Sequence, residues 1–270
     1  MTDVNSPADA TATDVKVETQ RRPKRPNEKH VEVSIVDAVF LRSDPSLLTM
    51  PAINTEAPEV AFMGKSNVGK SSLLNAMMLR KALVKTSKTP GHTRLMNQFG
   101  VTVQLRRTAR HLTLVDLPGY GFAKMPKGAQ IDLSRMLGDY LSNREGLSAL
   151  VHLFDMRHEP TKQDITTWEQ LSVLTRTRIV VGTKSDRVPS TKRRTHAKMI
   201  ASALRIHPDD VVVFSAESRE GRSALWGRIL AATGQSVPAE VSDEEAADVA
   251  ATAANAAPVD DVVDLTSDDD

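Results

Sequence analysis

Gly64-Lys65-Ser66-Asn67-Val68-Gly69-Lys70-Ser71 follows the apolar run Pro58-Glu59-Val60-Ala61-Phe62-Met63 and opens a helix-like pattern over residues 70–78. The octapeptide matches G-x-x-x-x-G-K-[S/T] in the strand, loop, helix setting that gives the motif its chemistry. Gly64 and Gly69 permit backbone conformations that aim amides at phosphate oxygens, Lys70 has the reach and charge for the outer phosphates, and the Ser71 hydroxyl suits magnesium. On this stretch alone, a chance glycine-rich turn remains the alternative.

Working outward, strand-like apolar runs occupy residues 30–41, 58–63, 99–105, 111–117, 148–155, 178–183 and 210–215. Helix-like patterns fill 70–78, 131–143, 161–174, 190–204 and 221–232. This alternation predicts an α/β fold with a largely parallel sheet covered by helices on both faces. Ligands in such folds bind beyond the carboxyl ends of the strands, so the polar residues after each strand are the candidate site. Residues 1–30 are polar and end in the basic run Arg21-Arg22-Pro23-Lys24-Arg25-Pro26, and 236–270 carry no aromatic residue. Both are expected to be disordered tails around one domain, 31–235.

Two more strand ends carry motifs. Asp116-Leu117-Pro118-Gly119 puts a carboxylate where it can bind magnesium, with a glycine amide for a terminal phosphate. After the strand 178–183 comes Thr183-Lys184-Ser185-Asp186, whose carboxylate can accept two hydrogen bonds from the ring N–H and amino group of guanine while Lys184 lies over the purine. Adenine offers no such donor pair. Ser215-Ala216-Glu217, after the last strand, has backbone amides for the guanine oxygen. Each is an ordinary turn or surface tetrapeptide by itself, and the order gives them weight.

Composition excludes several classes. With no cysteine in 270 residues, disulfides, thiolate metal sites and a cysteine nucleophile are ruled out. No apolar run approaches the ~18 residues of a membrane helix, and the N-terminus lacks the apolar stretch of a signal peptide, so a cytoplasmic location is expected. The seven histidines show no zinc spacing, His158 reads as a loop residue, and Trp168 and Trp226 read as packing. The formal net charge of +1 hides a separation: residues 236–270 hold eleven acids and no Lys or Arg, leaving +12 on residues 1–235. A basic body suits a polyanion, and a solubilising acidic tail is the simpler alternative. Lys85 with Lys88, Arg106-Arg107 with Arg110, and Lys192-Arg193-Arg194 are the basic clusters; together they favour RNA.

The motifs together resemble the three-layer Ras-like P-loop GTPase domain. The connecting segments narrow the resemblance: Thr86-Ser87-Lys88-Thr89-Pro90-Gly91-His92-Thr93-Arg94, Asp116-Leu117-Pro118-Gly119-Tyr120-Gly121-Phe122-Ala123-Lys124, and Asp155-Met156-Arg157-His158-Glu159-Pro160-Thr161 with Asp164 are similar to the EngB-type GTPases of bacterial ribosome assembly. The resemblance covers about residues 31–235. It implies GTP and GDP as ligands, held by Gly64, Lys65, Ser66, Asn67, Val68, Gly69, Lys70 and Ser71, by the mobile segment Gly91, His92, Thr93, Arg94 and Leu95, and by Asp116, Leu117, Pro118 and Gly119. Thr183, Lys184, Ser185 and Asp186 with Phe214, Ser215 and Ala216 would surround the base. Magnesium falls to Ser71, Thr93 and Asp116, with Thr89 the competitor of Thr93, and catalysis to Lys70, Thr93 and Gly119. Tyr120 stands where Ras-like switches place a water-orienting glutamine, implying slow intrinsic turnover. Asn67 recurs in relatives where K+ supplies the charge of an arginine finger; a structural loop asparagine is the alternative.

Three departures stand out: His92 replaces a frequent lysine, residues 105–111 form a long basic hairpin, and a tryptophan usual after Lys127 is missing. The implied function is a monomeric GTP-hydrolysing switch that attaches to the large ribosomal subunit precursor and its RNA, with neither DNA nor membrane as partner. Lys85, Lys88, Lys124 and Lys127 would form its GTP-ordered surface. A regulatory switch on a protein partner in cell division or septation is the second hypothesis. An ATPase is disfavoured by Asp186.

Overall fold

The computed structural model describes residues 33–84, 95–121, 126–174 and 177–235, so the expected tails 1–30 and 236–270 lie outside the described residues. Seven strands form one sheet: β1 (Val33–Asp44), β2 (Glu59–Gly64), β3 (Met96–Leu105), β4 (Thr108–Asp116), β5 (Leu147–Asp155), β6 (Arg178–Thr183) and β7 (Val211–Val213). Their order is β1-β3-β4-β2-β5-β6-β7. Four neighbouring pairs, from β4 to β7, are parallel; β1 with β3 and β3 with β4 are antiparallel. Parallel strands need a helical crossover, whereas β3 and β4 are close enough in sequence to turn back directly.

β2 is buried at every position because it pairs on both sides and is covered on both faces. Its alternate side chains serve two layers. Val60 and Phe62 meet α1 (Lys70–Met77) and α5 (Arg222–Ala232) through Leu74, Met77, Trp226 and Ile229. Ala61 and Met63 face the opposite layer, where α2 (Lys127–Asn143) and α3 (Lys162–Leu174) supply Tyr140 and Leu171. Farther along that layer α4 (Ser190–Leu204) packs Ile200 and Leu204 on Val180 and Trp168. Both tryptophans are core residues with satisfied rings: Trp168 Nε1 donates to Leu204 O at 3.1 Å and Trp226 Nε1 to Met77 O at 3.2 Å.

The register lines up the motif-bearing ends. Phe62 is opposite Asp116, Gly64 opposite Leu153, Asp155 opposite Thr183, and Gly182 opposite Val213. One edge of the sheet therefore presents the ends of β2, β4, β5, β6 and β7 together.

The hairpin expected over 105–111 is the end of the β3–β4 pair, and its turn is short. β3 runs to Leu105, β4 starts at Thr108, and only Arg106 and Arg107 turn the chain. Arg106 takes the left-handed conformation such a tight turn needs, with φ 55°, although it is not glycine. The basic clusters also part: this turn lies toward the β1 edge of the sheet, whereas Lys192, Arg193 and Arg194 ride on α4 over β6. Lys85, Lys88 and Lys124 are outside the described residues.

Candidate nucleotide site

Between β2 and α1 the chain folds into a cradle fixed by backbone. Gly69 caps α1 with φ 105°, a conformation side-chain-bearing residues rarely adopt, and the helix N-terminus it opens leaves its first amides free for an anion. Asn67 is also left-handed, with φ 63°, and asparagine tolerates that region better than most residues. Its type thus has a conformational cause independent of any ion. Ser71 is the second residue of α1.

The segment after β4 docks on this loop. Ser66 N donates to Tyr120 O at 2.9 Å, and Tyr120 N to Gly64 O at 3.2 Å. A Cβ on Gly119 would stand 3.2 Å from Gly64 O and 3.3 Å from Ser66 N, so a side chain here would push the two backbones apart by a few tenths of an ångström. Lys70 Nζ donates to Asp116 Oδ1, both side chains being nearly buried. Asp116 and Ser71 are hard oxygen donors at facing ends of a strand and a helix, with one carboxylate already beside a cation. That donor set fits magnesium completed by phosphate oxygens and water. Among the described residues no three His, Cys, Asp or Glu cluster around a common point, so the protein by itself does not cage a metal.

A cavity of about 490 Å³ opens beside the cradle, lined by Gly69, Ala76, Lys184, Asp186, Phe214 and Ala216 among others. Ser215 Oγ donates to Asp186 Oδ1 at 2.8 Å, and Arg187 Nε pairs with Oδ2 at 3.1 Å. Ser215 Oγ also accepts from Glu217 N at 3.2 Å and Ser218 N at 3.1 Å. The Glu217 amide is thus engaged inside its own loop. Lys184, left-handed at φ 59°, sends its ammonium to Asn67 O at 2.6 Å and Asp155 Oδ2 at 2.9 Å. Thr183 Oγ1 donates to Val68 O at 2.6 Å. Burial pushes the Asp155 carboxyl up, but hydrogen bonds from Arg157 and Lys184 outweigh it and hold it at about 2.

The region also matches known proteins. The family model described as 50S ribosome-binding GTPase matches residues 59–184. The probable GTP-binding protein EngB of Geobacter metallireducens is 45% identical over 182 residues, covering 67% of this chain and 86% of that protein. Its Bacillus subtilis namesake is 39% identical over 173 residues, covering 64% and 85%. This chain belongs to the EngB family. It is a GTPase. Solved structures agree on the fold: a probable GTP-binding protein EngB matches with TM-score 0.50 and 21% identity over 66% of this chain and all of that one. Era in complex with MgGDPNP and 16S ribosomal RNA nucleotides matches with TM-score 0.55 and 22% identity over 70% and 60%.

Within this EngB-family chain the phosphate loop, Asp116–Gly119, Thr183–Asp186 and Phe214–Ala216 all gather at one sheet edge. Leu95 sits just before β3 and is exposed. Gly91, His92, Thr93 and Arg94 fall outside the described residues, as does the competitor Thr89. Tyr120 does not face the cradle with its hydroxyl. The side chain is buried, and its oxygen lies 2.8 Å from His152 Nε2 and 3.0 Å from Asp164 Oδ1. Asp164 in turn closes a reciprocal cap on α3, accepting from Thr161 N at 2.9 Å and Thr161 Oγ1 at 2.6 Å. The hydroxyl has one proton, so the consistent arrangement is His152 Nε2–H to the tyrosine oxygen and tyrosine O–H to the carboxylate. Burial, and then Asp164 beside it, push the phenol far above its ordinary range, while burial lowers His152 to about 3.

Sequence reasoning missed Glu220. Its carboxylate accepts from Ser185 Oγ and Arg193 Nη1, both at 2.8 Å, and its backbone oxygen accepts from Ser215 N at 3.1 Å. It ties the two base-side loops to each other and to α4. No motif marks it, because its partners come from segments brought together only by the sheet.

Proposed function

We propose that this GTPase attaches to the assembling large ribosomal subunit and that GTP hydrolysis times its departure. The observation that carries the reading is cationic: α4 contains no acid, and Arg194, Lys198 and Arg205 follow one another along an exposed stripe of it and its cap. Phosphodiester backbone is the polyanion such a stripe suits, and the matching family's description names the 50S particle.

The nucleotide cycle rests on these contacts. Lys70, held by Asp116, turns to the outer phosphates when they enter, and the α1 amides receive their oxygens. Asp186 and Lys184 fix the base. Bound magnesium supplies charge neutralisation at the transferring phosphate, and Ser71 and Asp116, with Thr93 in the GTP state, would hold it. The Gly119 amide reports the terminal phosphate to the segment beyond it. Tyr120 is locked into the α3 side and orients no water, which accounts for slow turnover without a stimulating partner. Potassium at Asn67 is part of the proposal, supported by the exposed carboxamide at the lip of the loop. Asn67→Gly keeps the backbone conformation and should abolish any advantage of K+ over Na+ in turnover; an advantage that survives would exclude that site.

Sedimentation of cell extract through a gradient tests the attachment. The protein should travel with large-subunit precursors when loaded with a non-hydrolysable GTP analogue and stay near the top with GDP. A switch acting on a division protein would stay near the top in both.

A further inference from the structure

The described chain ends against β4. After α5, Gln235 Nε2 donates to His111 O at 3.2 Å, at the fourth of the nine residues of β4. Asp116 marks the nucleotide end of the same strand, five residues and thus about 17 Å away. In the other direction Arg110 adjoins the exit, and Arg107 of the β3–β4 turn is four residues, about 14 Å, away. Arg106 and Arg107 form that turn, exposed, with Arg106 pinned in its left-handed conformation while its backbone oxygen accepts from Gln104 Nε2 at 3.0 Å. Arg110 is next to His111, and its Nε is buried with no hydrogen-bond partner among the described residues, as is Gln235 Oε1. None of the three arginines makes an ion pair among the described residues.

Beyond Gln235 the sequence continues into the segment with eleven acids and no Lys or Arg. Glu240, Asp243, Glu244, Glu245 and Asp248 come within thirteen residues of the exit, a contour of about 43 Å. The turn is only three to five residues of β4 from His111, or about 10 to 17 Å. Tethering makes the encounter intramolecular, at an effective concentration on the order of millimolar for a short linker. Among the described residues the α4 stripe is the other strong cationic surface, and it lies over β6, three strands away from the exit on β4.

We propose that residues 236–270 fold back onto Arg106, Arg107 and Arg110, making the hairpin end of the sheet a docking surface for the chain's own acidic segment. At low ionic strength that end is closed to other polyanions, while α4 stays open. The inference does not depend on the ribosomal reading, since both partners belong to this chain.

The absence of cysteine allows a direct test. The full chain with Thr108→Cys and Ser242→Cys carries, at those positions only, a fluorescent donor and an acceptor that takes up its energy only near contact. Transfer should be efficient at roughly 10 mM salt and mostly lost at about 1 M, where the Debye length shrinks from about 30 to about 3 Å. Arg106→Glu with Arg107→Glu should give the high-salt value already at low salt, and Arg194→Glu with Lys198→Glu should leave transfer unchanged. Undiminished transfer in the hairpin variant, loss in the α4 variant alone, or transfer between singly labelled molecules that grows with concentration would each overturn the proposal. The last would mean that the segment docks on a second copy.

Discussion

Lys184, in the loop after β6, donates its ammonium to the backbone oxygen of Asn67 in the phosphate loop at 2.6 Å. The residue proposed to lie over the base thus also fastens the loop proposed to hold the phosphates, and Asp155 steadies it from the end of β5. Lys184→Ala should weaken GDP and GTP alike, by about 10- to 150-fold, the loss expected for a charge-assisted hydrogen bond of about 1.5 to 3 kcal/mol. Calorimetric titration of both nucleotides measures it. A loss confined to GTP would mean that Lys184 senses the terminal phosphate instead.

Asp186 is held by Ser215 Oγ and Arg187, which fixes the carboxylate plane facing the cavity. Asp186→Asn should lose about 1.5 to 3 kcal/mol of GTP affinity and gain affinity for xanthosine triphosphate, because an amide donates to the xanthine carbonyl that repels a carboxylate. Competition against a fluorescent nucleotide reads both. Unchanged GTP affinity would place the base elsewhere.

Tyr120 is positioned to support structure. Tyr120→Phe keeps the buried ring but strips His152 and Asp164 of their shared partner. Stability should fall by about 1 to 3 kcal/mol in urea unfolding, and turnover per folded molecule should hold. A large fall in turnover with stability intact would make the hydroxyl catalytic.

His152 gives a pH signature. Its value in the fold, about 3, lies below the ordinary 6.5, so the folded state binds its proton less readily than the unfolded chain. Its contribution is complete above pH 6.5 and is lost as pH falls toward 3, at about 1.4 kcal/mol per unit. Between pH 7 and 5 the protein should lose about 2 kcal/mol that a His152→Gln variant does not lose. Parallel pH dependences in the two proteins would show that His152 carries no such burden.

The nucleotide motifs were legible because each combines residue type with position at a strand end: Gly64 to Ser71 after β2, Asp116 closing β4, Asp186 after β6. The contacts that unite them were not. Lys184 and Asn67 are 117 residues apart in sequence, and no local pattern says that their loops touch. His152 reads as one polar interruption in an apolar strand until Tyr120 and Asp164 are seen to close around it. Arg106 hid the tight turn, since the left-handed conformation it adopts is usually announced by glycine or asparagine. The acidic segment was visible as charge, but only Gln235 on His111 shows where it departs.

The most direct measurement is phosphate release from GTP and from ATP, at equal concentration with magnesium, by the purified chain and by Lys70→Ala. The geometry of Lys70, Asp116 and Asp186 predicts slow release from GTP, none above background from ATP, and loss of the GTP signal in the variant. Equal release from both nucleotides, or full activity without Lys70, would contradict it.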